Sequence, residues 1–271
     1  MRKNGAGVKA VIFDLSGTVI DFGSRAPVVA FVELFSRQGI AVTEEEARRP
    51  MGTAKRDHIW AMLSDPDIAH RWRSVKGASP DIEALDALYR EFAPLQIEVL
   101  RQHCEVLPGV SHLTAELDAR GIPYAATTGF DSSMMSAVVQ SATSNGFNPK
   151  VFVTPDLAGG GRPAPWMAFH AARQMGVYPM SAIVKVGDTP ADIAEAQNAG
   201  MWAVGVVSTG NEIGLSQAEW KSLSDQDRDV RFALARERLQ SAGAHYVIGS
   251  AADLLPVIDQ IGERTGKGER P

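Results

Sequence analysis

Apolar residues in this chain come in two rhythms, and the boundaries between them set the architecture. Residues 9–13 (KAVIF) make a short continuous apolar run, the pattern of a strand covered on both faces, and Asp14-Leu15-Ser16-Gly17-Thr18 follows as a loop. From about residue 26 to 105 the spacing turns helical: Val29, Phe31, Val32, Leu34 and Phe35, then Ile59, Met62 and Leu63, then Leu85, Leu88, Phe92 and Leu95. No β-rich run interrupts it. After Pro108-Gly109 short apolar strands return at 124–127, 151–154, 183–186, 203–207 and 245–248, with helical patterns at 110–119, 132–144 and 251–261. Strands alternating with helices imply crossover connections and a parallel sheet covered on both faces. The expected fold is α/β, a doubly wound parallel sheet of Rossmann type with a helical cap domain inserted after the first strand. Residues 1–23 and 104–271 would form the discontinuous core and 24–103 the cap. Residues 215–242 read as polar helix without a site, and 264–271 as a frayed tail.

A length of 271 residues suits one large body with an insertion, and 45% hydrophobic with 22% charged residues is an ordinary globular balance. The net charge of −5, with no Lys/Arg cluster, argues against nucleic acid as partner. A small anionic substrate would need only a local cationic pocket. Cys104 is the only cysteine, which excludes an intrachain disulfide, and it reads as a buried structural residue. The basic start, residues 1–9, is followed by only four apolar residues, too few for a signal core or a membrane span. No membrane partner and a cytoplasmic location are therefore expected.

Four short motifs fall at strand ends, where open α/β sheets bind ligands. Asp14 sits between the first strand and a Ser-Gly-Thr loop whose N–H groups can face an anion. Thr127-Thr128-Gly129 offers a hydroxyl and a flexible backbone N–H, and Gly161-Arg162-Pro163 a fixed cation. Asp188 and Asp192, four apart where a strand meets a helix, can share a face with Asp14 and supply the oxygen ligands that suit magnesium. Each motif has a bland explanation: Asp192 as a first-turn acid of a helix, Arg162 as a surface ion-pair partner. Their order at successive strand ends is the stronger signal. Gly159-Gly160-Gly161 lacks dinucleotide-binding spacing.

With these motifs the chain resembles the haloacid dehalogenase superfamily from residue 9 to about 207. The resemblance implies Asp14 as nucleophile, Thr128, Gly129 and Arg162 as phosphate-binding residues, and Mg2+ held by Asp14, Asp188 and Asp192 with the backbone carbonyl of Ser16. Members commonly carry a second Asp two positions after the nucleophile as acid/base; here that position is Ser16. General acid/base catalysis contributes roughly 10²–10⁴-fold. A phosphate-ester hydrolase without it is handicapped, unless the leaving group is handled otherwise.

The helical insert offers that alternative. Residues 44–62 (EEEARRPMGTAKRDHIWAM) resemble the cap segment of the phosphonoacetaldehyde hydrolase family, whose lysine condenses with the substrate aldehyde; the matching residue is Lys55. Similarity continues through Asp21-Phe22-Gly23, Pro165-Trp166-Met167, Lys185-Val186-Gly187-Asp188, the segment 198–202 and Gly243-Ala244-His245. The resemblance implies C–P bond hydrolysis through a lysine imine and an aspartyl phosphate, and a homodimer through cap helices, for which the face around Phe31 and Phe35 could serve, though burial against the core explains that face equally well. Lys55 and His58 are three apart and share a helix face, with Met51 placing a thioether nearby. Desolvation with Arg48, Arg49 or Arg162 in the vicinity would keep the amine neutral for attack, and His58 could move protons. A solvated Lys55 and a satisfied surface histidine at 58 are the bland readings.

Relatives in that family commonly have Trp, Ala and Tyr where this chain has Leu15, Ser16 and Phe130, and sometimes Cys at the position of Ser24, so a substituted phosphonoaldehyde stays open as substrate. A phosphomonoesterase of the same superfamily and a non-catalytic phosphometabolite-binding protein are the rivals. Trp60, Trp72, Trp166, Trp202 and Trp220 read as packing residues, and His103, His112, His170 and His245 have no readable partner.

Overall fold

The computed structural model describes residues 7–271; the basic start, read above for its lack of an apolar signal core, lies up to position 6 outside the described residues. Strand β1 (Ala10–Phe13) is wholly buried and leads into the loop bearing Asp14. The chain then leaves the sheet for α1 (Arg25–Arg37), α2 (Glu44–Arg48), α3 (Lys55–Ser64), α4 (Pro66–Lys76) and α5 (Ile82–His103). It returns through α6 (Val110–Arg120), β2 (Tyr124–Thr127), α7 (Ser132–Ser144), β3 (Phe152–Val153), α8 (Pro155–Ala158) and α9 (Trp166–Met175). The second half follows as β4 (Ile183–Gly187), α10 (Pro190–Ala199), β5 (Trp202–Val206), α11 (Gln217–Ser222), α12 (Asp225–Ser241), β6 (Tyr246–Ile248) and α13 (Leu254–Gly266).

Among the described residues the strands form one six-stranded sheet in the order β3-β2-β1-β4-β5-β6, with every pair parallel. Successive strands depart in opposite directions from the β1/β4 pair, which makes their carboxyl ends the switch point where ligands bind in such sheets. Register does the positioning. Phe13 pairs with Ala126 on one side and Val186 on the other, so Asp14 leaves the sheet level with Thr127 and Gly187, and Thr128 and Asp188 follow one residue further on at the same edge.

The inserted helices have their own apolar centre. Phe31 of α1 stacks on Phe92 of α5 at 4.4 Å between ring centroids and on His58 of α3 at 3.8 Å. Local signals set the helix ends. Thr43 and Glu46 form a capping box on α2, Asp65 caps α4 with Pro66 at its first position, and Asp81 caps α5. At the first crossing from core to insert, Asp21 and Ser24 take the left-handed region at φ 57° and 49°, which glycine adopts more readily. Asp21 offsets that cost: its carboxylate accepts N–H groups of Arg25 and Ala26 at the start of α1 and the Ser16 hydroxyl at 3.1 Å.

The structure corrects or decides four expectations. The last helix does not fray after 261 but continues to Gly266, because the Arg264 guanidinium lies 4.5 Å over the Trp202 ring and donates to the Tyr246 hydroxyl at 3.1 Å. The face around Phe31 and Phe35 is consumed inside the insert, both rings being fully buried, so it is not free for a second copy. Trp166 is about half exposed and meets Phe169 edge-to-face at the surface, whereas Trp202 and Trp72 are buried as expected. His245 does have a partner: its Nδ1 accepts the Ala203 N–H at 2.9 Å, joining the strand ends. Cys104 is buried, and among the described residues no helix is long and apolar enough to cross a membrane.

Candidate active site

The sheet's switch point concentrates charge. Asp14, Asp188 and Asp192 each bring an oxygen within 4.8 Å of the others, all buried. Burial, then the charge of Asp192, raises the Asp14 carboxyl to about 6 in spite of Arg162 and Lys185. Asp188 is pushed well above the carboxylate range by burial and by Asp14 and Asp192. Its oxygens accept the Asn211 N–H at 2.7 Å and the Thr18 hydroxyl at 3.4 Å. Two raised acids side by side favour a further cation between them, and an all-oxygen donor set of this kind suits a hard divalent one. Asp192 differs. Burial raises it, but Arg162 and Lys185 outweigh burial and hold it below the usual range. One of its oxygens accepts the Thr189 hydroxyl at 2.6 Å in a capping box on α10; the other faces Lys185 at 2.9 Å and Arg162 at 3.2 Å.

Arg162 is the hub of this half. It bonds Asp14 at 2.8 Å, Glu195 at 2.9 Å, the Thr127 carbonyl at 3.0 Å and hydroxyl at 2.9 Å, and the Gly52 carbonyl of the insert at 3.2 Å. Burial opposes its charge, but Asp192, Asp14 and Glu195 outweigh burial and hold it protonated beyond the usual arginine range. Lys185 lies beneath, donating to Thr127 Oγ1 at 2.9 Å and facing Glu195 at 3.4 Å. The Thr127 hydroxyl is thereby enclosed in the sheet. Thr128 is the one facing outward, its Oγ1 accepting the Phe130 N–H at 3.1 Å.

The insert contributes the opposite kind of environment. Lys55 is the first residue of α3, whose N-cap Ala54 makes no side-chain bond, so the amine sits at the positive end of a helix. It is buried between the rings of Phe130, at 4.9 Å, and Phe31, at 5.6 Å. Burial is the main cause that lowers its pKa from 10.5 to about 8; Asp14 opposes this and Arg162 adds to it. Of the cations considered from sequence, Arg162 is the one that acts on it. Arg49 is paired at the surface with Asp65 at 3.0 Å, and Arg48 turns to the core. His58 is fully buried. Its Nε2 bonds the Ala47 carbonyl at 2.8 Å, its Nδ1 has no partner, and burial together with Lys55 holds it well below 6.5, hence neutral.

Both halves meet in one cavity lined by Asp14, Ser16, Met51, Lys55, Thr128, Gly129, Phe130, Arg162 and Asp188. The seam is tight enough to demand glycine: a Cβ on Gly129 would lie 2.4 Å from the Thr53 carbonyl, and one on Gly52 2.3 Å from Thr189 Oγ1. The cavity volume of about 20 Å³ holds roughly one water. Of the residues proposed from sequence, Asp192 lies behind Arg162, His58 lies behind the apolar wall, and the Ser16 hydroxyl is spent on Asp21; the others line the space. Sequence reading missed Lys185, Glu195 and Asp21 as parts of the site. A lysine between Val184 and Val186 in an interior strand was a signal, since a lysine so placed must be paired.

Comparison with known proteins agrees with this geometry. Residues 8–200 match the family model of haloacid dehalogenase-like hydrolases. The chain is 42% identical over 264 residues to phosphonoacetaldehyde hydrolase of Paraburkholderia xenovorans, covering 97% of this chain and 99% of that protein. Against the enzyme of that name from Nitratidesulfovibrio vulgaris it is 40% identical, covering 97% and 94%. A crystal structure of a phosphonoacetaldehyde hydrolase-like protein from Oleispira antarctica superposes with a TM-score of 0.97 at 41% identity, over 100% of this chain and 99% of that one. The chain is a haloacid dehalogenase-like hydrolase. Within that class it belongs to the phosphonoacetaldehyde hydrolase family.

Proposed function

We propose that this enzyme hydrolyses the C–P bond of phosphonoacetaldehyde to acetaldehyde and phosphate, with Lys55 as the imine-forming amine and Asp14 as the nucleophile. The observation that carries the reading is the burial of the Lys55 amine, with its pKa lowered to about 8, in the same cavity as Asp14 and Arg162. A phosphomonoesterase has no use for such a lysine.

Breaking a C–P bond leaves an electron pair on carbon, a far poorer leaving group than oxygen. The neutral amine of Lys55 attacks the aldehyde carbon and water departs, giving a protonated imine. Asp14 then attacks phosphorus; the C–P electrons move onto carbon and into the iminium, giving an enamine and an aspartyl phosphate. Water attacks that phosphate and frees Asp14, the enamine carbon takes a proton, and hydrolysis of the imine returns Lys55 and releases acetaldehyde. Arg162, the Thr128 hydroxyl and Gly129 hold the phosphoryl oxygens where charge gathers. Mg2+ would be held by Asp14, Asp188 and the Ser16 carbonyl, with Asp192 steadying Arg162 beside them; when bound it supplies positive charge to offset that on the phosphoryl group. Because Ser16 Oγ is engaged by Asp21, an acid at position 16 has no counterpart, and the imine supplies the leaving-group assistance instead. His58, neutral with a free Nδ1, is suited to relay protons during imine formation, and Met51 closes the apolar side.

A cavity with room for about one water cannot admit the substrate, so residues 24–103 act as a cap that opens from the core of residues 1–23 and 104–271 in each turnover. Family likeness also supports a homodimer through cap surfaces other than the buried Phe31 and Phe35. The test is direct: with Mg2+, the enzyme releases acetaldehyde and phosphate in equal amounts from phosphonoacetaldehyde and leaves phosphate monoesters intact. Release from monoesters that survives Lys55→Ala would favour the phosphomonoesterase instead.

A further inference from the structure

One side chain of the insert reaches past the cavity into the core. Arg48, the last residue of α2, donates from Nη1 to the Gly23 carbonyl at 2.9 Å and to Asn211 Oδ1 at 3.1 Å, and from Nη2 to the Gly214 carbonyl at 2.9 Å. Gly214 has φ +68°, and a Cβ there would lie 2.8 Å from the guanidinium carbon, so the loop is shaped around this group. Gly23 belongs to the first crossing between core and insert; Asn211 and Gly214 belong to the loop after β5.

That loop touches one acid of the site, the nucleophile loop and the crossing segment that follows it. The Asn211 N–H donates to Asp188 Oδ2 at 2.7 Å. The Thr209 hydroxyl donates to the Gly17 carbonyl at 2.7 Å, in the loop that carries Asp14. The Thr209 carbonyl accepts the Gly23 N–H, also at 2.7 Å. Arg48 therefore joins the insert, the crossing segment and the residue that orients Asp188 through one planar fork. The contact between Tyr89 and Asp131 at 2.7 Å also spans insert and core, but it ends at the cap of α7 and touches no acid of the site.

We infer that Arg48 is a positioning residue that couples closure of the insert to the orientation of Asp188, so that the phosphoryl site is in its working arrangement only when Lys55 lies over it. This rests on the reaction proposed above. Substrate admission has to break the Arg48 bonds and closure has to remake them. A lysine at 48 keeps the charge but has no fork with which to reach three acceptors at once.

The test uses the full chain with Arg48→Ala and Arg48→Lys. Hydrogen exchange, measured without substrate or metal, should be about tenfold faster or more at the Gly23 and Asn211 amides in Arg48→Ala, from the loss of charge-assisted bonds, with β1 amides unchanged. In steady state on phosphonoacetaldehyde, kcat should fall by roughly 100-fold, the scale of a small misplacement of reacting groups, with a much smaller change in KM. Added guanidinium should restore part of the Arg48→Ala rate, and Arg48→Lys, which keeps folding in view, should fall between. Parental exchange at Gly23 and Asn211, acceleration shared by the β1 amides, or a kcat within twofold of the parent would each overturn the coupling. A parental chain that leaves phosphonoacetaldehyde intact would instead overturn the reaction, while the exchange measurement still decides the role of Arg48.

Discussion

The two walls of the cavity solve opposite electrostatic problems. The core wall gathers Asp14, Asp188, Asp192, Glu195, Arg162 and Lys185 into a buried lattice in which nearly every charge has a partner of opposite sign. The wall from the insert holds one amine between two aromatic rings, beside a neutral histidine, and removes its charge by burial. A lattice of fixed charges suits an anion that becomes more crowded with charge in the transition state; an apolar slot suits an amine that has to attack as a free base. Chemistry at phosphorus and chemistry at carbon thus share one cavity and are assigned to different parts of the chain.

Substitution should separate the walls most sharply at the reacting atoms. Asp14→Asn should lower phosphate release by about 10⁴-fold or more while leaving imine formation at Lys55 in place, read by mass after borohydride. Loss of both together would mean that the walls do not act separately. Next in size, Lys185→Met should cost about 3–5 kcal/mol in urea unfolding, because Asp192 and Glu195 would lose a buried counter-charge. A cost under about 1 kcal/mol would contradict the lattice.

The amine wall has its own signature in pH. Lys55 is depressed in the folded protein, so between about 8 and 10.5 the unfolded chain binds a proton that the folded chain does not, and stability rises with pH across that window. Below pH 8 the burial of this amine costs the fold about 3 kcal/mol. Lys55→Met should remove the rise, leaving a flatter stability curve above pH 8. The smallest effect concerns the acids. Asp14 is raised to about 6, so in the absence of a cation the folded protein gains stability as pH falls from 6 toward 4. Mg2+ at about a hundred times its Kd should raise Tm by roughly 5–10 °C at neutral pH, and by less below pH 6, where protons compete. An equal rise in Asp14→Asn with Asp188→Asn would place the ion elsewhere.

The sheet and the insert were legible because their signals are local. The run KAVIF and its later counterparts announce strands, and the spacing of Phe31, Phe35, Leu88 and Phe92 announces helices that bury a shared face. Asp14, Thr128, Arg162 and Asp188 could be picked out because each closes a strand or sits in a short glycine-bearing loop. What stayed hidden depends on pairing across the fold. The valines beside Lys185 say that it is buried but not that Glu195, from the next helix, will meet it. Ser16 shows a hydroxyl but not that Asp21 takes it, and Arg48 looks like any charge on a short helix until Asn211 and Gly214 fold against it. Whether the face at Phe31 was buried or available stayed open for the same reason, since its partners on α3 and α5 lie far along the chain.

The central claim concerns one amine, and reductive trapping reaches it directly. Enzyme treated with borohydride in the presence of phosphonoacetaldehyde, then digested and mapped by mass, should carry a substrate-dependent two-carbon adduct on Lys55, and activity should be lost in step with labelling. An adduct on a different lysine, or full turnover with no trapped species, would contradict the account.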